Sequence, residues 1–410
     1  MKESIPFARP FIGKEEEEAV LAVLRSGWLT TGKETLAFEE EFSAFLSEKK
    51  INTDPLYCMA VNSATSGLHL ALEASGIREG DILLLPSMTF TASAEVARYL
   101  GAEVIFVDVC RGGFHMDPHC LEETLEKINN GRLQGKDRVK AIMPVHYGGL
   151  ARFLDEVTSI AEKNKLKIIE DAAHSFPSFL PSLSNPDLGS WAGTMGDIGV
   201  FSFYATKTIT TGEGGMVVTH DKKAAERIRI MRSHGKDRSI WNRYTDTKAS
   251  WYYEVIEPGF KYNIPDILSA LGRVQLKRAM ELLQMREEIA SAYDDAFKGD
   301  EFFTIPPTGD GDARHLYPLQ LNLEKLSIDR NEFASKMQEE GIGVSVHFIP
   351  LHTMPYYKKR YSLKETDFPE TMKTHYRSIS LPIWPGMTGE MTERIIAVVK
   401  NLAYKYNKSG

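Results

Sequence analysis

Gly196-Asp-Ile-Gly-Val-Phe-Ser-Phe-Tyr-Ala-Thr-Lys-Thr-Ile-Thr-Thr-Gly-Glu-Gly-Gly-Met216 reads as a buried strand that runs into a polar, glycine-rich loop. The apolar run Ile198 to Tyr204 delivers a hydroxyl at Ser202, and a lysine follows at Lys207. A lysine held just past a buried strand is desolvated, which lowers its pKa and frees the amine to attack a carbonyl. Thr208 to Gly215 supply small side chains and backbone N–H groups next to it. A reactive amine beside a phosphate cup is what a pyridoxal phosphate site requires.

Outward from this segment, Leu166-Lys-Ile-Ile-Glu-Asp-Ala-Ala-His174 is a second apolar run, ended by two carboxylates. Open α/β sheets bind ligands at the carboxyl ends of their strands. A buried Asp171 needs a positive partner, and a protonated pyridine nitrogen is one; capping the next helix is the competing role. His174 alone reads as a structural hydrogen-bonding residue. Val61-Asn-Ser-Ala-Thr-Ser-Gly-Leu68 opens a helix with small and hydroxylic residues, so Thr65, Ser66 and the first-turn N–H groups form an anion site or simply a cap. Phe90 in Pro86-Ser-Met-Thr-Phe-Thr is a ring available for stacking or for the core.

Helical and strand signals alternate from residue 60. Helices are expected over 65–74, 91–100 and around 153–161, and strands over 81–85, 102–107, 139–145 and 166–169. Asp117-Pro118 caps a further helix. The short apolar runs do not alternate, which predicts a parallel sheet buried on both faces and an α/β chain. After Met231 the pattern changes: 233–251 is polar and aromatic without period, 263–297 reads as one long helix, whole or broken, and strands (316–321, 344–348) mix with helices (330–340, 388–403). A boundary near residue 255 divides a large domain, 1–255, from a smaller C-terminal α+β domain, 256–410.

The chain has 410 residues, 42% hydrophobic and 26% charged, enough for two cores. Its 49 basic and 56 acidic side chains give a net charge of −7, which argues against a general nucleic-acid binder. The run Glu15 to Glu18 reads as a solvated first helical turn. Cys58, Cys110 and Cys120 show no metal-ligand spacing and are expected as free thiols, so no metal site is expected. No signal-peptide pattern or spanning apolar window is seen, and the expected compartment is the cytoplasm, without membrane attachment.

Taken in order, these segments resemble the DegT/DnrJ/StrS family of pyridoxal phosphate-dependent sugar aminotransferases. The likeness runs from Ile5-Pro-Phe and Arg25-Ser-Gly-Trp-Leu-Thr-Thr-Gly32 to Gly259-Phe-Lys-Tyr-Asn-Ile-Pro-Asp266, Val346-His-Phe-Ile-Pro-Leu-His352 and Leu381-Pro382. It implies an aspartate aminotransferase-like fold (fold type I). It implies Lys207 as covalent anchor and proton shuttle, Asp171 at the pyridine nitrogen, and Ala64, Thr65, Ser66 and Ser202 at the phosphate. Phe90 would stack on the ring and His174 would face its hydroxyl side.

The same resemblance implies a homodimer, with Lys261 or Asn263 reaching the partner's cofactor phosphate. Trp28, Thr31, His347 and His352 would meet the sugar; Arg232 reads either as a contact for its diphosphate or as a surface arginine. The substrate would be a nucleotide-linked keto sugar, with L-glutamate as amino donor. His174 and Lys261-Tyr-Asn263 resemble the branch that aminates C4 of a 4-keto-6-deoxy sugar. The stretch from Ser175 through Trp191 departs from the family pattern and is expected to alter the substrate mouth. Two alternatives on the same scaffold are a sugar dehydratase, whose lysine is replaced by histidine, and a regulatory protein without turnover.

Overall fold

The computed structural model describes residues 4–49, 54–135, 137–182, 184–237, 252–309 and 311–408. Most of the aperiodic stretch 233–251 therefore lies outside the described residues.

Among the described residues the main sheet has seven strands: β1 Tyr57–Val61, β2 Ile82–Pro86, β3 Glu103–Val107, β4 Val139–Ile142, β5 Lys167–Asp171, β8 Ile198–Ser202 and β9 Gly215–Thr219; β6 Phe179–Pro181 and β7 Gly189–Trp191 form a separate two-stranded hairpin. Their order is β1-β9-β8-β5-β4-β2-β3. Pairings from β3 through β8 are parallel, whereas β9 is antiparallel to both β8 and β1. Only β9 is reversed, so the carboxyl ends of the other six strands share one edge, where such sheets carry their ligands. β2, β8 and β9 are buried at every position, as expected for strands covered on both faces. The α/β class and the mostly parallel sheet are as the sequence predicts.

Helices α1 Lys14–Ser26 and α2 Lys33–Ser47 precede the sheet, and α3 Ala64–Ala74 follows β1 directly. α3 is buried along most of its length, with Leu68, Leu70, Ala71 and Leu72 in the main core. Gly67 allows that approach: a Cβ there would lie 2.7 Å from Val200 Cγ1. Asp117 caps the helix Pro118–Asn129, as its sequence predicts. The acidic run at the start of α1 is only partly solvated. Glu16 is buried, accepting from Gly13 N (2.8 Å), Gln275 Nε2 (2.7 Å) and Arg278 Nη1 (2.9 Å).

The long helix expected over 263–297 is two, Asp266–Lys277 and Ala279–Phe297, broken at Arg278. Asp266 instead accepts from Gly32 N and Thr35 N, so its carboxylate caps α2 from a distance. A second sheet pairs β10 Phe303–Thr304, β11 Tyr317–Leu321 and β12 Ser378–Leu381 antiparallel. Ile264, Leu276, Ala279 and Leu282 pack in a core with Phe38 and Phe201. From Ile289 onward the same chain packs with β11, β12 and the helix Gly389–Lys405 in a separate core. The expected strand 344–348 is not formed: Ser345 makes one bridge, to Ser380, and the chain then turns toward the edge of the large sheet. Among the described residues no helix is long and apolar enough to cross a membrane.

Candidate active site

The carboxyl ends of the sheet open into a cavity of about 460 Å³, lined among others by Ala64, Thr65, Phe90, Asp171, His174, Ser202, Lys207 and His347. Two strands fix Lys207. β8 ends at Ser202, which pairs with Gly215 at the start of β9, so both ends of the intervening loop are clamped. Inside the loop, Lys207 N donates to Tyr204 O (2.9 Å), and Thr210 Oγ1 donates to Phe203 O (3.0 Å) and accepts from Gly212 N (2.8 Å). Gly212 has φ +80°, a conformation that costs glycine little. Thr210 of the opening motif is thus a tie of the lysine loop.

Burial lowers the Lys207 pKa to about 7; Asp171 opposes the shift and the Arg286 charge reinforces it. Asp171 ends β5, buried, with Oδ2 accepting from Ser93 Oγ (2.6 Å) and Oδ1 from Ala173 N (3.2 Å). Ser93 is in turn bonded to Thr89 Oγ1 (2.7 Å). Burial raises the Asp171 pKa, while Ser93, Ala173 and Lys207 act to lower it. Both oxygens are oriented, and a cation in the cavity would complete their set.

Glu170, its neighbour in sequence, points away, because successive strand residues face opposite sides. It accepts from His146 Nε2 (2.7 Å), Gly193 N (2.7 Å), Met195 N (2.7 Å) and Gly196 N (2.5 Å). The two carboxylates of one motif therefore do different work: Asp171 faces the cavity and Glu170 anchors the loop that enters β8.

At the opposite end of the cavity Ser63, Ala64 and Thr65 begin α3. The backbones are so close there that a Cβ on Gly215 would lie 2.8 Å from Ala64 N. Ser66 faces elsewhere: its Oγ accepts from Ser63 N (3.2 Å), closing the capping box of α3, and its one proton lies between Asn62 Oδ1 (2.8 Å) and Ser63 O (2.7 Å). Its expected phosphate contact is thus occupied by capping, and Ala64, Thr65 and Ser202 line the cavity without it.

His174 Nδ1 accepts from Gly148 N (3.2 Å), leaving its proton on Nε2. His347 Nδ1 lies 2.9 Å from Ser380 Oγ, and its ring stacks on Phe7. The sequence reading missed His315, which lines the cavity with Nε2 3.4 Å from Lys207 Nζ and a buried Nδ1 that has no partner. Burial, together with the Lys207 charge, holds His174 and His315 well below the usual histidine pKa and His347 at about 4. The N-terminal Pro6-Phe-Ala8 segment forms another wall: Trp384 Nε1 donates to Pro6 O (3.1 Å), and Phe7 and Ala8 line the cavity.

The remaining expected contacts lie elsewhere in this chain. His352 is fully buried, its Nδ1 2.5 Å from Ser87 Oγ and its ring against Phe368, so it is a core histidine. Arg232 is buried in an ion pair with Glu39 and donates to Ala60 O (2.7 Å), so it is neither a surface arginine nor open to a diphosphate. Trp28 lines a second cleft with Asp266 and Arg273. Thr31 accepts from Asn263 Nδ2 (2.6 Å), and Lys261 Nζ donates to Asn263 Oδ1 (2.6 Å). This segment runs beside β1, with Asn62 N donating to Tyr262 O (2.8 Å), outside the cavity. The hairpin Phe179–Pro181 and Gly189–Trp191 packs against Phe45 and Phe176, so the divergent stretch 175–191 does not form the cavity wall.

Known proteins resemble this chain in sequence and fold. The chain is 38% identical over 402 residues to the spore coat polysaccharide biosynthesis protein SpsC of Bacillus subtilis, covering 97% of each. Its fold matches a putative sugar aminotransferase of Streptococcus pneumoniae solved in its PMP form, with TM-score 0.86, 28% identity and coverage of 98% of this chain and 99% of that one. It also matches Helicobacter pylori PseC, an aminotransferase of pseudoaminic acid biosynthesis, with TM-score 0.85, 28% identity and coverage of 98% and 100%. A buried lysine facing a carboxylate at the open end of a seven-stranded sheet is thus found in a chain whose residues 10–400 match one family model throughout, and the protein belongs to the DegT/DnrJ/EryC1/StrS aminotransferase family.

Proposed function

We propose that this aminotransferase moves the amino group of L-glutamate to the ketone of a nucleotide-linked sugar, at C4 of a 4-keto-6-deoxy sugar. The observation that carries the reading is the lysine: Lys207 is buried, its amine is half neutral near pH 7, and it shares one cavity with Asp171 and the start of α3. The cofactor is pyridoxal phosphate, and the residues fit it. Ala64, Thr65 and Ser202 form an anion cup in which Gly215 leaves no room for a Cβ. Asp171 awaits a protonated nitrogen, and Phe90 gives the cavity an aromatic wall.

When bound, pyridoxal phosphate supplies an aldehyde that carries nitrogen and a ring that takes up electrons. Lys207 holds the cofactor through its amine and, once released, takes and returns the proton at the substrate carbon that carries nitrogen. Asp171, oriented by Ser93 and Ala173, keeps the ring nitrogen protonated. His174, His315 and His347 stay uncharged at neutral pH, so they orient polar groups of the donor and the sugar without competing with Lys207 for charge. Phe7, Leu316, Phe348 and Ile383 give the cavity apolar surface that suits a deoxy sugar.

Purified protein incubated with glutamate and a panel of nucleotide 3-keto and 4-keto sugars should aminate a 4-keto-6-deoxy member. Mass detection reads the transfer and NMR of the product reads the carbon. Nitrogen on C3, or consumption of 3-keto sugars alone, overturns the C4 assignment and leaves the aminotransferase intact.

The working unit in this reading is a homodimer with shared sites, in which Lys261 or Asn263 serves the partner's phosphate cup. Mixing and re-associating subunits disabled at Lys207 with subunits disabled at Asn263 should restore part of the activity. Fully active monomers in solution would rule the shared site out. The free thiols Cys58, Cys110 and Cys120 fit a reducing cytoplasm.

A further inference from the structure

The largest fully buried side chain among the described residues is a charged one, Arg286 in the helix Ala279–Phe297. Its Nη1 donates to Ile383 O (2.9 Å) and His315 O (3.3 Å), its Nη2 to Thr206 O (3.4 Å), and its Nε has no partner. No carboxylate pairs with it among the described residues. A guanidinium buried without a counter-charge is costly, and burial alone pushes Arg286 down to about 10.

The three carbonyls it binds are not a random set. Thr206 precedes Lys207 in the chain, His315 Nε2 lies 3.4 Å from its amine, and Ile383 lines the same cavity. One side chain thus joins the lysine loop, the start of β11 and the segment after β12, from behind the cavity wall.

We propose that Arg286 is a positioning residue for Lys207: its guanidinium fixes the backbone on which Lys207 and His315 stand, and its charge behind them disfavours a second cation at the amine. The inference rests on Lys207 being the reactive lysine. The groups facing Lys207 are Asp171, which favours its protonated form, and His174, His315, His347 and Glu213, which line the cavity with it. Arg286 is the fixed positive charge that offsets Asp171. Asp171 can then be a carboxylate ready for the ring nitrogen without holding Lys207 as an ammonium ion.

The test uses the protein stripped of cofactor. Trace acetic anhydride labelling of Lys207, read by peptide mass spectrometry from pH 5.5 to 10, gives the midpoint at which its amine becomes reactive. Arg286→Gln should raise that midpoint by about one pH unit, a roughly tenfold loss of neutral amine below pH 7. Arg286→Lys, which keeps the charge and gives up part of the carbonyl set, should leave it within about 0.3 units. Arg286→Met is the second neutral variant should Gln not fold. Folded neutral variants with an unmoved midpoint, or a lysine variant displaced as far as they are, overturn the proposal. Failure of both neutral variants to fold assigns Arg286 to stability alone and overturns it too. Failure of the underlying reading looks different: borohydride would then fix no pyridoxyl group to Lys207 in the wild-type protein.

Discussion

Lys207→Ala should lose turnover by about 10⁴-fold or more while still taking up pyridoxal phosphate non-covalently. The single change removes both the nucleophile that holds the cofactor and the base that moves the proton, and either function alone is worth orders of magnitude. The anion cup at α3 and the Asp171 carboxylate do not depend on Lys207 for their geometry, since Ser93, Ala173 and the β8–β9 pairing hold them. Binding should therefore survive. In the wild-type protein borohydride should fix the pyridoxyl group to Lys207, identified by peptide mapping, and the variant should carry none. The pH dependence follows from the lysine as well. With a pKa of about 7, the neutral amine grows as pH rises from 6 to 8 and levels off above. The rate of cofactor uptake by the stripped enzyme should follow that curve. Label on a different lysine, or a rate still climbing at pH 10, would contradict the assignment.

Much of this site is legible locally because its chemistry is carried by strand ends. Asp171 and Ser202 close apolar runs, and Lys207 follows a run by a fixed short loop, so sequence distance translates into spatial distance. The first turn of α3 is legible for the same reason, and the parallel sheet follows from runs that do not alternate. What is not legible comes from elsewhere in the chain. His315 lies 108 positions from Lys207 and stands in a segment with no periodic signal of its own. Arg286 looks like any arginine of a long helix until the fold brings the carbonyls of Thr206, His315 and Ile383 around it. Ser66 shows the limit within a motif: the same hydroxyl can cap its helix or face a ligand, and here the cap takes it. Residues 344–348 have strand composition, yet only Ser345 finds a ladder partner, Ser380 on the open edge of β12. His347 reaches the cavity through that turn. The break at Arg278 is likewise set by tertiary contacts, since its guanidinium serves Glu16 and Glu281 rather than continuing the helix face.

The motif that places Asp171 on the cavity also buries Glu170 behind it, and Glu170→Gln should destabilise the fold by about 1–3 kcal/mol for each buried donor left unpaired. The substitution is isosteric, so no cavity term enters. In the wild-type protein four donors converge on two oxygens: His146 Nε2 and Gly193 N on Oε2, Met195 N and Gly196 N on Oε1. A glutamine must place its NH₂ against one of these pairs. Turned toward Oε1 it meets two backbone N–H groups. Turned toward Oε2 it meets His146, which can change tautomer and accept, and Gly193 N, which cannot. At least one buried backbone donor is left facing another donor, without access to water. The loop 193–196 leads straight into β8, so the loss should loosen the strand that delivers Ser202 and Lys207. Burial raises the Glu170 pKa, but the His146 and backbone donors outweigh it and the net shift is downward. A carboxyl lowered on folding contributes stability above its unfolded pKa, near 4.3, and loses it as pH falls through the folded value. Urea unfolding at pH 7 should show the full difference between the two proteins, and the gap should narrow below about pH 4. An unchanged midpoint at pH 7 would mean that the Glu170 carboxylate does not hold the loop that carries the lysine strand.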